Sequence, residues 1–258
     1  LLEWSKEIKA PEVIGEMVGE QMLKAMGTPD KQLVLMNDTV STLLAGKAAK
    51  AGKSYDTFIG FILGTGTNTS YIEANKNITK NPDLDPAGSQ IINIESGNFD
   101  KVPRTDIDIA FDNSTKNPGR YSFEKMFSGG YFGGLCTTAL KQAAGEGLFS
   151  AGTQKKVENL KEQSTEEVNK FVSGVELKKN ILAQALVNEE DKATAAAIIN
   201  GLIERAAKLV AANLAAVILQ TGKAKSVEKP VLMTIEGTTF YKLNRFQEMF
   251  QAFLNEFL

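Results

Sequence analysis

No histidine occurs among the 258 residues, and cysteine occurs once, at Cys136. Without histidine, Ser-His and Cys-His catalysis and His-ligated zinc are excluded within the chain, so proton transfer falls to carboxylates, lysine or tyrosine. A lone cysteine excludes an internal disulfide and a Cys-rich metal site. No apolar run approaches the ~20 residues that span a bilayer. No secretory signal pattern opens the chain, and the reducing cytoplasm is the expected compartment. An excess of one charge is lacking too: 29 Lys and Arg stand against 31 Asp and Glu, a net charge of −2. That balance does not match a nucleic-acid backbone or an anionic membrane as partner. An initiating Met is missing at Leu1, so a fragment is expected.

Hydrophobic residues are plentiful, at 43%, so the chain can bury a sizeable core as one large domain or two small ones. The stretch Leu33 to Glu73 holds the densest pattern. An apolar run, Leu33 to Met36, reads as a strand that ends at Asn37-Asp38-Thr39, after which Val40, Leu43 and Leu44 follow a helical period. Asn, Asp and Thr start helices because their oxygens accept first-turn N–H groups. Asp38 is therefore either an N-cap contributing about 1 kcal/mol or a carboxylate presented at a strand end. A second apolar run, Phe58 to Leu63, enters Gly64-Thr65-Gly66-Thr67-Asn68 and leaves as an alternating strand over Thr69 to Glu73. That glycine turn reads either as an ordinary hairpin or as bare backbone N–H groups and hydroxyls open to phosphate.

Two nucleotide signatures are excluded. Gly46 to Ser54 approaches a P-loop but is one residue too long, closes a helix and precedes a strand. Gly64-Thr65-Gly66 is not a dinucleotide fingerprint, because strand rather than helix follows it.

Elsewhere, Glu12 to Met26 reads as an amphipathic helix and Asn75 to Gln90 as an exposed loop. Ile91 to Ile94 reads as a short buried strand that delivers Glu95, either to a surface salt bridge or to paired hydroxyls. A long helix starts near Ser122, with Glu124 in its first turn, where negative charge is favoured in any case. Glu146 to Ser173 is rich in Lys and Glu and reads as a polar insert or linker. Lys192 to Gln220 reads as a strong helix, Pro230 to Ile235 as a buried strand, and Asn244 to Phe257 as an amphipathic helix.

NDT after an apolar strand, FILGTGTN, INIESGNF, VPRTDIDIAFD and PGRYSFEKMFSGGYFGG stand in this order, and together they resemble the hexokinase family of ATP-dependent sugar kinases over Leu1 to Tyr241. The resemblance implies an α/β large domain of actin-like, ribonuclease-H-like fold, with a mixed β-sheet flanked by helices. It implies Asp38 as catalytic base and Asn37, Asn68, Glu95 and Glu124 as sugar ligands. Ser5 and Lys6 match the family's sugar-binding Thr and Lys, with Ser5 keeping the hydroxyl; on residues alone Lys6 is an ordinary surface lysine. Thr39 and the turn Gly64, Thr65, Gly66 and Thr67 match nucleotide contacts. Gly237 and Thr238 match a later nucleotide segment, although Glu236 is longer than the family's Asp. ATP with Mg2+, held mainly by the nucleotide, and a hexose are the implied partners. The Pro103-Arg104-Thr105-Asp106-Ile107-Asp108 pattern is expected to be structural. The family's first phosphate loop, its last nucleotide segment and most of its small domain have no counterpart here, so this chain alone is expected to be inactive. A non-catalytic sugar-binding or regulatory relative is the alternative, with an actin-like assembly protein a weaker third.

Overall fold

The structure, a computed structural model, describes residues 11–49 and 52–258 and divides into two compact units, Leu1–Asp38 and Thr39–Leu258. In the first unit a turn of 3-10 helix (Pro11–Val13) precedes helix α1 (Val18–Ala25). The single helix expected over Glu12 to Met26 is thus interrupted. Gly15 takes a φ of +89°, outside the helical region, and the helix restarts beyond it. Leu33 to Met36 do not form the expected strand, and all four are exposed. Backbone N–H and C=O groups form a strand only against a neighbour, and this unit has no other strand among its described residues. Leu33 packs instead on α1, where a Cβ at Gly19 would lie 2.8 Å from its Cδ2.

The second unit is built on a four-stranded sheet of order β3-β2-β1-β4, comprising β1 (Thr57–Leu63), β2 (Thr67–Ala74), β3 (Ser89–Asn93) and β4 (Val231–Glu236). β1 and β2 form an antiparallel hairpin in which Leu63 faces Thr67, and β3 continues it with Asn93 opposite Ser70. β4 lies parallel to β1, Ile62 opposite Glu236, which makes the sheet mixed. β1 is buried nearly throughout because it is central. β3 and β4, expected to be buried, are edge strands and only half covered. Helix α2 (Asp38–Ala48) runs close to β1: a Cβ at Gly60 would collide with the Thr39 carbonyl.

Helices supply the rest. They are α3 (Asp106–Ser114), α4 (Ser122–Lys125), α5 (Phe132–Gly145), α6 (Ala151–Glu158), α7 (Thr165–Val172), α8 (Ile181–Ala185), α9 (Glu189–Thr221), α10 (Thr238–Lys242) and α11 (Phe246–Phe257). α9 starts at an Asn188 cap that accepts from Asp191 N and stops at the left-handed Gly222. Its inward stripe of Ala195, Ile199, Ile203, Ala206, Ala207 and Val210 is buried in one core with Phe246, Phe250 and Leu254 of α11 and Phe132 and Leu140 of α5. Cys136 lies in that core, fully buried, and burial pushes its thiol well above the usual range.

Two further expectations are corrected. The polar insert over 146–173 carries two helices, α6 and α7, and is part of the fold: Val157, Leu160, Val168 and Phe171 belong to the core, while Lys155, Lys156, Glu158, Lys161 and Glu162 face water. Asp191 ties its start to α9, accepting from Ser150 N (2.9 Å), Ser150 Oγ (2.5 Å) and Thr153 Oγ1 (2.6 Å). The long helix expected from Ser122 is two, α4 and α5, because Gly129 and Gly130 turn their N–H groups to carbonyls elsewhere in the chain.

Candidate active site

The β1–β2 turn is pinned by its carbonyls. The turn closes through Gly64 N donating to Gly66 O (3.0 Å), while Gly64 O accepts from Gly129 N (2.7 Å) and Thr239 Oγ1 (3.0 Å). Thr65 O accepts from Gly130 N at 2.8 Å, and a Cβ at Gly130 would sit 2.7 Å from that oxygen. The N–H groups of Thr65 and Gly66 have no acceptor among the described residues. Fixed peptides with outward donors are a phosphate-binding geometry. Thr65 is exposed, whereas Thr67 is buried and donates its hydroxyl to Ile62 O at 2.9 Å.

A cavity of about 510 Å³ opens beside this turn. Gly64, Thr65 and Gly129 form one side, Thr238 and Thr239 another, and Thr165, Asn169 and Lys170 of α7 a third. Gly237, at φ +116°, lies against the Leu63 carbonyl and the Gly64 nitrogen, where a Cβ would clash. The structure therefore brings together the two glycine-threonine segments expected to meet a nucleotide. The α7 wall was missed, although the apolar spacing of Val168, Phe171 and Val172 is helical. Lys170 pairs with Glu166 (2.9 Å) and Glu176 (3.4 Å) at the mouth. That hydrogen bond and its positive charge hold the Glu166 carboxyl below its usual value.

Two expected sugar carboxylates reach consecutive residues at the start of β2. Glu124 Oε2 accepts the backbone N–H of Thr67 at 2.8 Å. A Cβ on Gly66 or Gly97 would come within 2.7 or 3.0 Å of the same oxygen. Glu95 follows β3 in the left-handed region, φ 56°, and its Oε1 accepts from Asn93 Nδ2 (2.7 Å) and Asn68 Nδ2 (3.3 Å). Asn68 also donates to Asn93 Oδ1 at 2.6 Å. Asn93 was not singled out beforehand; only its place at the end of the strand expected to deliver Glu95, two residues ahead of it, could have flagged it.

Beneath Glu124 lies a buried ion cluster. Lys125 donates to Asp112 Oδ1 (2.5 Å) and Asn117 O (2.7 Å), and Arg104 reaches Asp112 Oδ2 at 3.1 Å. Burial pushes Asp112 up, but the Lys125 and Gly119 N–H hydrogen bonds and the charges of Lys125 and Arg104 outweigh it and hold the carboxyl below its usual value. Arg205 forks onto Asp108 with two 2.8 Å bonds, while Asp108 and Thr105 cap α3 reciprocally. The PRTDID segment thus holds α3 between α9 and α4.

Asn37 and Asp38 belong to the first unit. Asp38 is the exposed first residue of α2 and Asn37 is half-buried; both, like Thr39, have interaction partners. Thr39 is fully buried, and its carbonyl accepts from Ser70 Oγ at 3.0 Å. Ser5 and Lys6 lie outside the described residues. Among the described residues no three His, Cys, Asp or Glu side chains are grouped to hold a metal ion. Likewise, no described helix is long and apolar enough to cross a membrane.

Comparisons with known proteins agree on one family. A family model described as hexokinase matches residues 58–258. Hexokinase-2 of Solanum tuberosum is 29% identical over the whole chain and 55% of its own length. A glucokinase of Aspergillus niger is 30% identical over 86% of the chain and 51% of its own. Hexokinase-1 of Spinacia oleracea is 38% identical over 59% of the chain. A hexokinase structure from Schistosoma mansoni, complexed with glucose, superposes with TM-score 0.73 at 23% identity, over all of this chain and 60% of that one. A second hexokinase crystal structure gives 0.77 at 24%, over all of this chain and 58% of its own. The chain spans little more than half the length of these full-coverage relatives, and its sheet and helices have the actin-like, ribonuclease-H-like fold. By sequence and by fold, the chain belongs to the hexokinase family.

Proposed function

We propose that the protein moves the γ-phosphoryl group of ATP to the 6-hydroxyl of glucose or a similar hexose. One observation carries the reading: the carboxylates of Glu124 and Glu95 engage Thr67 and Asn68, the residues that directly follow the phosphate-type turn. Sugar acceptors and phosphate donors would then share one short peptide, as in-line transfer needs. The hexose hydroxyls are received by Glu95 and Glu124, with Asn37, Ser5 and Lys6 as further sugar contacts; Asn68, expected as another, has its amide committed to Asn93, Glu95, Thr69 and Ser96 and acts beside the sugar by holding Glu95. Gly64, Thr65, Gly66 and Thr67, with Thr39, Gly237 and Thr238, receive the nucleotide, its base end in the cavity beside α7. The sugar oxygen forms the new bond to the γ-phosphorus as the bond to the ADP oxygen breaks, and Asp38 takes the hydroxyl proton. The turn offers N–H groups and hydroxyls, which suit phosphate oxygens; Mg2+, entering as part of the nucleotide substrate, would offset phosphate charge there. The cytoplasm is the proposed compartment, in keeping with a single buried thiol.

A coupled assay tests the reading in a form of the protein extended by the segments its relatives have and this chain lacks. Asp38→Ala is expected to slow turnover by ~10²–10⁴; a change of only a few-fold would remove Asp38 as base. Residues Leu1–Leu258 alone are expected to bind glucose weakly and consume little ATP, because closure over both substrates shuts out water and aligns them.

A further inference from the structure

We propose that Asn93 is a positioning residue for sugar recognition, which together with Asn68 holds Oε1 of Glu95 and reserves Oε2 for a sugar hydroxyl. The proposal rests on Glu95 being a sugar ligand.

The hydrogen-bond valences leave little choice of arrangement. Asn68 Oδ1 accepts two backbone N–H groups, from Thr69 (2.7 Å) and Ser96 (3.2 Å). That fixes which end of the amide is oxygen, so Nδ2 must be the end that meets Asn93 and Glu95. Its two protons are spent on Asn93 Oδ1 and Glu95 Oε1. All of the Asn68 side chain is thereby engaged, and it supports Glu95 instead of offering a spare group to a ligand. Asn93 in turn accepts from Asn68 and donates to Glu95 at 2.7 Å. Glu95 Oε1 therefore carries two donors, while Oε2 has no partner among the described residues.

The arrangement is anchored at both ends. Thr69 Oγ1 meets Ser96 Oγ at 3.2 Å and accepts from Asn213 of α9 at 2.7 Å, so the long helix backs the strand start that holds Asn68. Glu95 stands in the left-handed backbone region, which a residue with a side chain occupies only where its surroundings hold it there. Asn93 itself is exposed on the edge strand. Its side chain contributes little to the core, and an amide is costly to leave half satisfied only once water is displaced. Sugar binding is that event.

Glucose and an epimer of it are titrated onto the protein by saturation-transfer NMR, in wild type, Asn93→Ala, Asn93→Asp, Glu95→Ala and the double variant Asn93→Ala/Glu95→Ala. Asn93→Ala is expected to weaken glucose about tenfold and to narrow the gap between glucose and its epimer, with the unfolding midpoint unchanged. Asn93→Asp keeps the acceptor for Asn68 but sets a second carboxylate against Glu95, and is expected to lose at least as much. In the Glu95→Ala background the Asn93 effect should vanish, since Asn93 acts through Glu95. An Asn93 effect that survives there, or wild-type glucose binding by Asn93→Ala while Glu95→Ala is impaired, overturns the proposal. Unchanged glucose binding by Glu95→Ala overturns the sugar reading of Glu95 instead. A sugar-free measurement separates the two failures: side-chain amide exchange at Asn93 accelerates in Glu95→Ala if the clamp exists, and unchanged exchange refutes it.

Discussion

Glu124 accepts the backbone N–H of Thr67 at 2.8 Å, which ties an expected sugar ligand to the first residue after the phosphate-type turn. The tie is made from α4, a helix of four residues entered through Tyr121 at φ 56°. So short a helix does not hold itself. Its position comes from that hydrogen bond and from Lys125, sunk into the Asp112 pair.

Loss of the Glu124 side chain is therefore expected to be felt at both substrates. Glu124→Gln keeps an acceptor for Thr67 N–H and should weaken glucose by a penalty of ~1–3 kcal/mol, with nucleotide little affected. Glu124→Ala should weaken both. Calorimetric titrations with glucose and with ATP check this, and unchanged nucleotide affinity in Glu124→Ala would break the link.

Gly130→Ala probes the turn from behind. The added Cβ would press on the Thr65 carbonyl from 2.7 Å, so the turn must shift or the hydrogen bond must lengthen. Nucleotide affinity is expected to fall while α5 stays folded, read as a raised ATP dissociation constant with unchanged far-UV circular dichroism. Wild-type affinity would show that the Gly130 N–H bond does not set the turn.

Phe171→Ala tests whether α7 is core. Phe171 is 7% exposed and packs in the main cluster. Truncating a phenylalanine there should cost ~3–5 kcal/mol, measured by urea unfolding. A loss below 1 kcal/mol, usual for a surface site, would return 165–172 to the status of a solvated linker.

Acid should find the Asp112 cluster. The folded carboxyl titrates below its ordinary value of 3.8, so its stabilising effect is whole above that value and is lost as pH falls through the lower, folded one. Asp112→Asn is expected to be less stable than wild type at neutral pH, with the difference shrinking below about pH 4. Unfolding midpoints across pH 2–7 measure it, and a difference independent of pH would mean the pair acts by shape alone.

Much of this site was legible beforehand because motifs are local. Gly64 to Asn68, Glu95 and Glu124 each sit in a short distinctive stretch, and the apolar runs that became β1 and α9 are long enough to declare their period. What failed was non-local. Leu33 to Met36 have strand composition but no strand neighbour among the described residues of their unit, and a strand exists only by pairing. The α4–α5 break is written in Gly129 and Gly130, but their partners, Gly64 and Thr65, lie far away in sequence. Charged residues hid α7, whose few apolar positions pack in the core while Thr165 at its start bridges Gly129 O and Gly133 N. Asn93 looked like any strand-end asparagine until its two neighbours were placed.

The sole thiol makes the core keep time. Cys136 lies fully buried on α5, so a thiol reagent reaches it only when that helix leaves the interior. With reagent dilute, the rate of labelling follows the population of opened molecules; with reagent in excess, it follows the rate of opening itself. No engineered probe is needed, and no second cysteine confuses the signal. Any molecule that prefers the closed form, whether sugar or nucleotide, declares itself by slowing the clock.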